Sequence, residues 1–97
     1  MKIDRFDTES KGHFTASDEG IQAGRMTYSW AGSDKIIIDH TEVKPAFSGK
    51  GVGKMLVLEA VNFARENNLT ILPLCPFARS VFDRNDDLSD VLDQPVP

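Results

Sequence analysis

Apolar and polar side chains alternate along residues 21–30 (IQAGRMTYSW), with apolar residues on both sides and most heavily at Met26, Tyr28 and Trp30. A period of two predicts a strand. HFTAS at 13–17 predicts another, joined to it by a turn at Ser17-Asp18-Glu19-Gly20. A second turn, Ala31-Gly32-Ser33-Asp34, leads into 35–43 (KIIIDHTEV). Its consecutive isoleucines predict a central strand buried on both faces. Pro45 ends that strand because proline supplies no ladder donor. From about Gly51 to Asn67 the period becomes helical. Val52, Leu56, Ala60 and Phe63 recur at spacings of three and four, and Val57, Val61 and Ala64 widen the stripe. Asn67-Asn68 is a stop signal. LTILPL at 69–74 predicts a fourth strand, and Pro73 near its end implies an edge, a bulge or a strand that peels away from its neighbour. PFARSVFDR at 76–84 predicts a short helix with Pro76 at its first position. The order implies an α/β fold: a mixed, mostly antiparallel sheet with one right-handed, parallel strand–helix–strand step and a short C-terminal helix.

Composition narrows the class. The 97 residues suit one domain spanning 1–97, with 40% hydrophobic and 27% charged residues and a net charge of −4. That charge disfavours nucleic acid and anionic membrane as partners. No apolar run is long enough to span a bilayer, and MKIDRFDTES lacks the apolar core of a signal peptide. A lone cysteine, Cys75, rules out an internal disulfide and fits a reducing, cytoplasmic setting. The stretch 86–97 carries four aspartates and two prolines, and 89–97 is expected to be a frayed acidic tail. His13, His40 and Cys75 lack the spacing of metal ligands, so no metal is expected.

The chemistry concentrates in AFSGKGVGKMLVLEA, residues 46–60. A glycine-rich loop that opens a helix after a strand is built for an anion, because the first helical N–H groups are unpaired and the helix dipole adds positive charge. A Walker loop would need glycine at 48 and a hydroxyl residue at 55, where Ser48 and Met55 stand. The dinucleotide fingerprint would need glycine at 54, where Lys54 stands.

VKPAFSGKGVG, residues 43–53, resembles motif A of the GCN5-related N-acetyltransferases, in which R/Q-x-x-G-x-G/A follows a strand ending in Val-x-Pro. In that family the loop amides hold the pyrophosphate of acetyl-CoA. The resemblance places Ser48, Gly49, Lys50, Gly51, Val52, Gly53 and Lys54 at the cofactor. Ser48 departs from the usual Arg or Gln. A second family pattern, Asn-x-x-Ala-x-x-Leu-Tyr, aligns with Cys75, Ala78, Val81 and Phe82. It sets Cys75, Phe77 and Ala78 beside the cofactor and leaves Phe82 without the hydroxyl that commonly protonates the departing thiolate. PLCPFA and DHTEV together with GKGVGK are similar to a subfamily of short, single-domain YjdJ-like acetyltransferases. The resemblance covers roughly residues 12–88. It implies transfer of an acetyl group from acetyl-CoA to an amine, on a small molecule or an exposed protein amine, by direct attack.

Acetyl transfer needs a polarised carbonyl, a deprotonated amine and a leaving thiolate. The resemblance assigns the carbonyl contact to backbone N–H groups around Glu42 and Val43. Side-chain alternation groups His40 and Glu42 with Ile36 and Ile38 on one strand face, and either His40 or Glu42 is a candidate base. Cys75 is a candidate nucleophile, a candidate acid or a small core residue. The missing tyrosine hydroxyl and the small size also suit a non-catalytic acyl-CoA binding module, and Cys75 suits a thiol-based acyl carrier. Trp30, Tyr28, Phe77 and Phe82 are expected in the core or the pocket wall.

Overall fold

The computed structural model describes residues 1–93. The sheet has five strands in sequential order: β1 (Lys2–Asp7), β2 (Lys11–Asp18), β3 (Ile21–Trp30), β4 (Lys35–Val43) and β5 (Thr70–Pro73). The first four are antiparallel, and β4 pairs with β5 in parallel. The crossover is helix α1 (Val52–Asn67), and α2 (Pro76–Arg84) follows β5. A 3-10 turn, Pro45–Phe47, separates β4 from the glycine loop.

The helix boundaries follow from local chemistry. Asn68 ends α1 in the left-handed conformation (φ 54°, ψ 46°), and its N–H donates to Ala64 O. The buried side of α1 carries Val52, Leu56, Val57, Ala60, Val61 and Ala64. It covers one face of the sheet, where Phe14, Ala16, Met26, Tyr28, Ile36, Ile38 and Ile71 form the core. Each large aliphatic residue buried there contributes about 1.5–3 kcal/mol relative to exposure. At the far edge Phe63 closes an aromatic cluster with Phe14, Tyr28 and Trp30, and the Arg5 guanidinium sits 4.1 Å from its ring centre.

The structure differs from the sequence expectations in four places. Strand β1 has no counterpart among them. The sheet's other face is not covered as the isoleucine run implied: β4 is central, yet Ile37 is only half-buried while Ile36 and Ile38 are buried. The register of β3 against β4 shifts, with Tyr28 opposite Ile38 and Thr27 opposite His40. Asp39 is therefore an extra residue, a bulge that reverses the side-chain alternation beyond it. His40 and Glu42 still share a face, but it is the open one, opposite Ile36 and Ile38. Last, the stretch expected to fray is docked as far as Asp93. Asp86–Val91 form a 3-10 helix with Leu88 and Val91 buried. Asp93 N–H donates to Ile71 O, its carboxylate pairs with Lys35 at 3.0 Å, and Arg65 grips Asp90 through two nitrogens at 3.0 and 2.9 Å. Apolar residues three apart are enough to seat the segment despite its aspartates. Residues 94–97 of that expectation lie outside the described residues.

Candidate functional site

Two features converge beside the start of α1. The first is a parting of strands. The parallel pairing of β4 with β5 ends at Ile38 and Pro73. Ile38 O accepts from both Leu74 N–H (3.0 Å) and Cys75 N–H (3.1 Å), so β5 stops there and turns into α2. Beyond that point β4 runs on to Val43 paired only with β3 among the described residues. Lys44 N–H donates to Ala23 O on the β3 side. Peptide groups alternate in direction along a strand, so Glu42 N–H also turns toward β3, and the N–H groups of Thr41 and Val43 face the open edge. Of the two positions expected to offer a donor, Val43 presents one to the gap and Glu42 does not.

The second feature is the loop. Gly49 (φ 78°) and Gly51 (φ 75°) are both left-handed, and a Cβ at either would meet nothing within 4 Å. Glycine is needed there for backbone conformation, and the space beside it stays open. Gly51 also precedes the first residue of α1, with no side-chain cap and no acidic residue in the first turn. Gly51 O accepts from Met55 N–H at 3.0 Å, the first bond of the helical ladder. The N–H groups of Val52, Gly53 and Lys54 therefore have no partner inside the helix. Ser48 N–H, in contrast, donates to Pro45 O at 3.2 Å, so it closes the preceding turn.

A cavity of about 320 Å³ lies over this loop. Val43, Ser48, Gly49, Gly51, Val52, Gly53, Lys54 and Phe77 line it, with Phe47 added by the structure. Eight of the residues expected at the cofactor thus meet in one cavity. Lys50 stands apart from the lining, its Nζ 5.4 Å from the Phe47 ring centre. Gly53 has a separate reason to be glycine. A Cβ there would lie 2.6 Å from the Phe77 ring, which leans on the helix start while remaining 42% exposed. Phe77 is a wall of the cavity. Tyr28 and Phe82 are core, and Trp30 packs against it.

Cys75 precedes α2 and is 5% exposed, and Ala78 is buried one turn on. Its Sγ lies 3.5 Å from Thr41 Oγ1 across the gap between β4 and α2. Burial pushes the Cys75 thiol up. The N–H of Ala78, the Thr41 hydroxyl and the N–H groups of Phe77 and Thr41 more than offset this, and the thiol ends below its ordinary value. The sequence marked Cys75, but Thr41 was missed because its role depends on the bulge. Glu42 is exposed and lies 3.9 Å from Lys44 Nζ, while His40 is exposed on the open face. The bulge therefore separates the two candidate bases from the Cys75 side of the sheet. Among the described residues no group of three or more His, Cys, Asp or Glu is placed to hold a metal, and no helix is long and apolar enough to cross a membrane.

Residues 13–91 match the model of a family described as GCN5-related N-acetyl-transferase. A solution structure of a GCN5-like protein from Staphylococcus aureus, assigned as an N-acetyltransferase, is 35% identical, with 98% of this chain and 90% of that one covered and a TM-score of 0.71. The chain belongs to the GCN5-related N-acetyltransferase family. Ribosomal-protein-alanine N-acetyltransferase from Brucella melitensis biovar Abortus shares the fold at 16% identity, covering 93% of this chain and 67% of that one, with a TM-score of 0.70. A streptothricin acetyltransferase assignment from Bacillus anthracis, solved with acetyl coenzyme A, shares it at 20% identity and a TM-score of 0.58, covering 69% of this chain and 39% of that one. No curated protein matches the chain. In this member of the N-acetyltransferase family, Val43 and Phe77 border the cavity over the glycine loop at the start of α1.

Proposed function

We propose that this chain binds acetyl-CoA across the glycine loop and the gap between β4 and β5, and catalyses acetyl transfer to an amine. The observation that carries the reading is the open, uncapped start of α1. Free N–H groups, two left-handed glycines and unfilled space there suit a pyrophosphate. Gly49, Gly51, Val52, Gly53 and Lys54 would hold that anion, with Lys50 adding charge from the rim. Val43, Phe77 and Ala78 would flank the pantetheine arm. Acetyl-CoA supplies a thioester whose carbonyl carbon bonds to the amine nitrogen as the C–S bond breaks, the electron pair leaving on sulfur.

The side chains then divide the proton work. His40, exposed beside the bulge, takes the proton that the amine loses, and Glu42 is the alternative base from the same face. The Val43 N–H on the open edge stabilises charge developing on the carbonyl oxygen. Cys75 stands in for the missing tyrosine hydroxyl, because a thiol held below its ordinary value is a competent proton donor to an ordinary thiolate. The same lowered thiol supports a second reading, in which Cys75 itself accepts the acetyl group. Intact-mass measurement after incubation with acetyl-CoA separates the two. Direct transfer gives no adduct, and the carrier reading gives an acetyl adduct that Cys75→Ala abolishes.

The test of the proposal is release of free CoA from acetyl-CoA in the presence of amines, polyamines and peptides. Turnover above the rate of hydrolysis with at least one acceptor is expected. CoA binding with no turnover on any acceptor would instead favour a non-catalytic acyl-CoA binding module.

A further inference from the structure

The bulge in β4 does more than expose His40 and Glu42. Ile36 and Ile38 face the core, and plain alternation would send Thr41 to the open face. The extra residue, Asp39, turns Thr41 round, so that it pairs with the core residue Met26. Thr41 is half-buried, and its Oγ1 lies 3.5 Å from Cys75 Sγ across the gap between β4 and α2. Its N–H, on the open edge of the strand, lies near the same sulfur. Two polar groups of one residue thus reach the thiol.

The bulge is held from the open face. The Asp39 carboxylate accepts from the Thr27 hydroxyl and, at 3.2 Å, from Ser29 Oγ. Thr27 stands opposite His40 and Ser29 opposite Ile37, so the two hydroxyls flank the register shift. One carboxylate ties both sides of the bulge to β3. The chemistry of the hydroxyl at Thr41 suits its place. A hydroxyl both accepts and donates. In the neutral state Cys75 S–H donates to Thr41 Oγ1. When the sulfur carries a negative charge, the same hydroxyl can rotate and donate to it, which a valine could not do.

We propose that Thr41 is a positioning residue for acetyl transfer: it holds Cys75 at the gap and steadies the thiolate left when Cys75 gives up its proton, while the Asp39 clamp on the bulge keeps Thr41 in place. This role rests on the transfer reading above, in which Cys75 is the acid. As the C–S bond of the thioester breaks, the electron pair stays on the CoA sulfur, and the Cys75 proton bonds to it. Cys75 becomes a thiolate that accepts from the Thr41 hydroxyl. The proton that the amine loses rests on His40. The opposite charges on His40 and Cys75 cancel by proton exchange with water after the products leave. Thr41 neither gains nor loses a proton and acts on the reaction only through Cys75.

The experiment follows Cys75, the only cysteine of the chain, in full-length protein carrying 13C at cysteine Cβ. Titrating that carbon's shift against pH reads the thiol without turnover and without a reagent reaching it. In Thr41→Val the midpoint is expected to rise, because the hydroxyl is one of the groups that outweigh burial there. Thr41→Ser should restore it, and Asp39→Ala should raise it in the same direction but by less. CoA release with the best acceptor should fall by about threefold to tenfold in Thr41→Val and recover in Thr41→Ser. The basic limb of its pH profile should move upward with the thiol, since a proton donor works only while protonated. A threonine that merely packs would change urea stability and leave the midpoint and the limb in place. An unchanged midpoint in Thr41→Val, failure of Thr41→Ser to restore it, or movement of the acidic limb in place of the basic one would overturn the proposal. A parent that releases no CoA with any acceptor overturns the transfer reading and the catalytic role with it. The midpoint in Thr41→Val then still decides whether Thr41 governs the thiol.

Discussion

Both α-helices among the described residues begin without a side-chain cap, and what stands beside their first N–H groups differs. At α1 the chain supplies nothing: two left-handed glycines, empty space and no acidic residue. At α2 a buried thiol sits at the helix start: Cys75 Sγ lies 3.5 Å from Thr41 Oγ1, and the nearby N–H groups of Ala78 and Phe77 help to hold the thiol below its ordinary value. One start is open space, and the other is occupied by a buried thiol. On the proposed reading, the difference divides binding and chemistry between two helix ends. The first is made of backbone and tolerates little added bulk. The second is made of one side chain whose ionisation it sets.

Substitutions can break this contrast. The largest effect is expected from Gly51→Val. A β-branched residue at φ 75° costs about 1–2 kcal/mol of stability and fills the space beside the loop. CoA affinity measured by calorimetry should fall by about tenfold or more. An affinity equal to the parent's would contradict the cradle. Gly53→Ala comes next and works differently. The new Cβ displaces the Phe77 ring, while alanine gains about 0.5–1 kcal/mol of helix propensity. The melting temperature should hardly move while CoA affinity drops, by less than in Gly51→Val.

At the other helix start the effect is a matter of pH. A thiol lowered in the folded state stabilises the fold fully above its unfolded value, and that contribution disappears as pH falls through the folded value. The stability of the parent relative to Cys75→Ala should therefore rise from about pH 6 to about pH 9 in urea unfolding. A difference that stays flat or shrinks over that range would remove the lowered thiol. His40→Ala should change least of all in binding. Stability should stay within about 0.5 kcal/mol and CoA affinity should be unchanged, because the residue is exposed on the far face. Only turnover should fall.

The open helix start was legible in the sequence because everything it needs is local. Gly49, Gly51 and Gly53, the preceding Val43 and the helical stripe from Val52 all fall within a short window. The pairing of β4 with β5 and the limits of α2 were equally local in their signals. The rest depends on partners far apart in the chain. The bulge at Asp39 carries no glycine or proline to announce it, so plain alternation put His40 on the wrong face. Strand β1 was hidden because Ile3 packs on the core while Phe6 stacks on His13 across the open face, which leaves no one-sided pattern. The aspartates of 86–93 outweighed Leu88 and Val91 in the reading, although those two side chains decide where the segment sits.

The most direct test of the division between the two helix starts is a CoA titration of the 15N-labelled full chain followed by two-dimensional NMR. The largest amide shifts are expected from Gly49 to Lys54, with a second set at Val43 and Phe77. Shifts centred on His13 and Arg25 instead, or the absence of any saturable change, would contradict the assignment of the glycine loop as the CoA cradle.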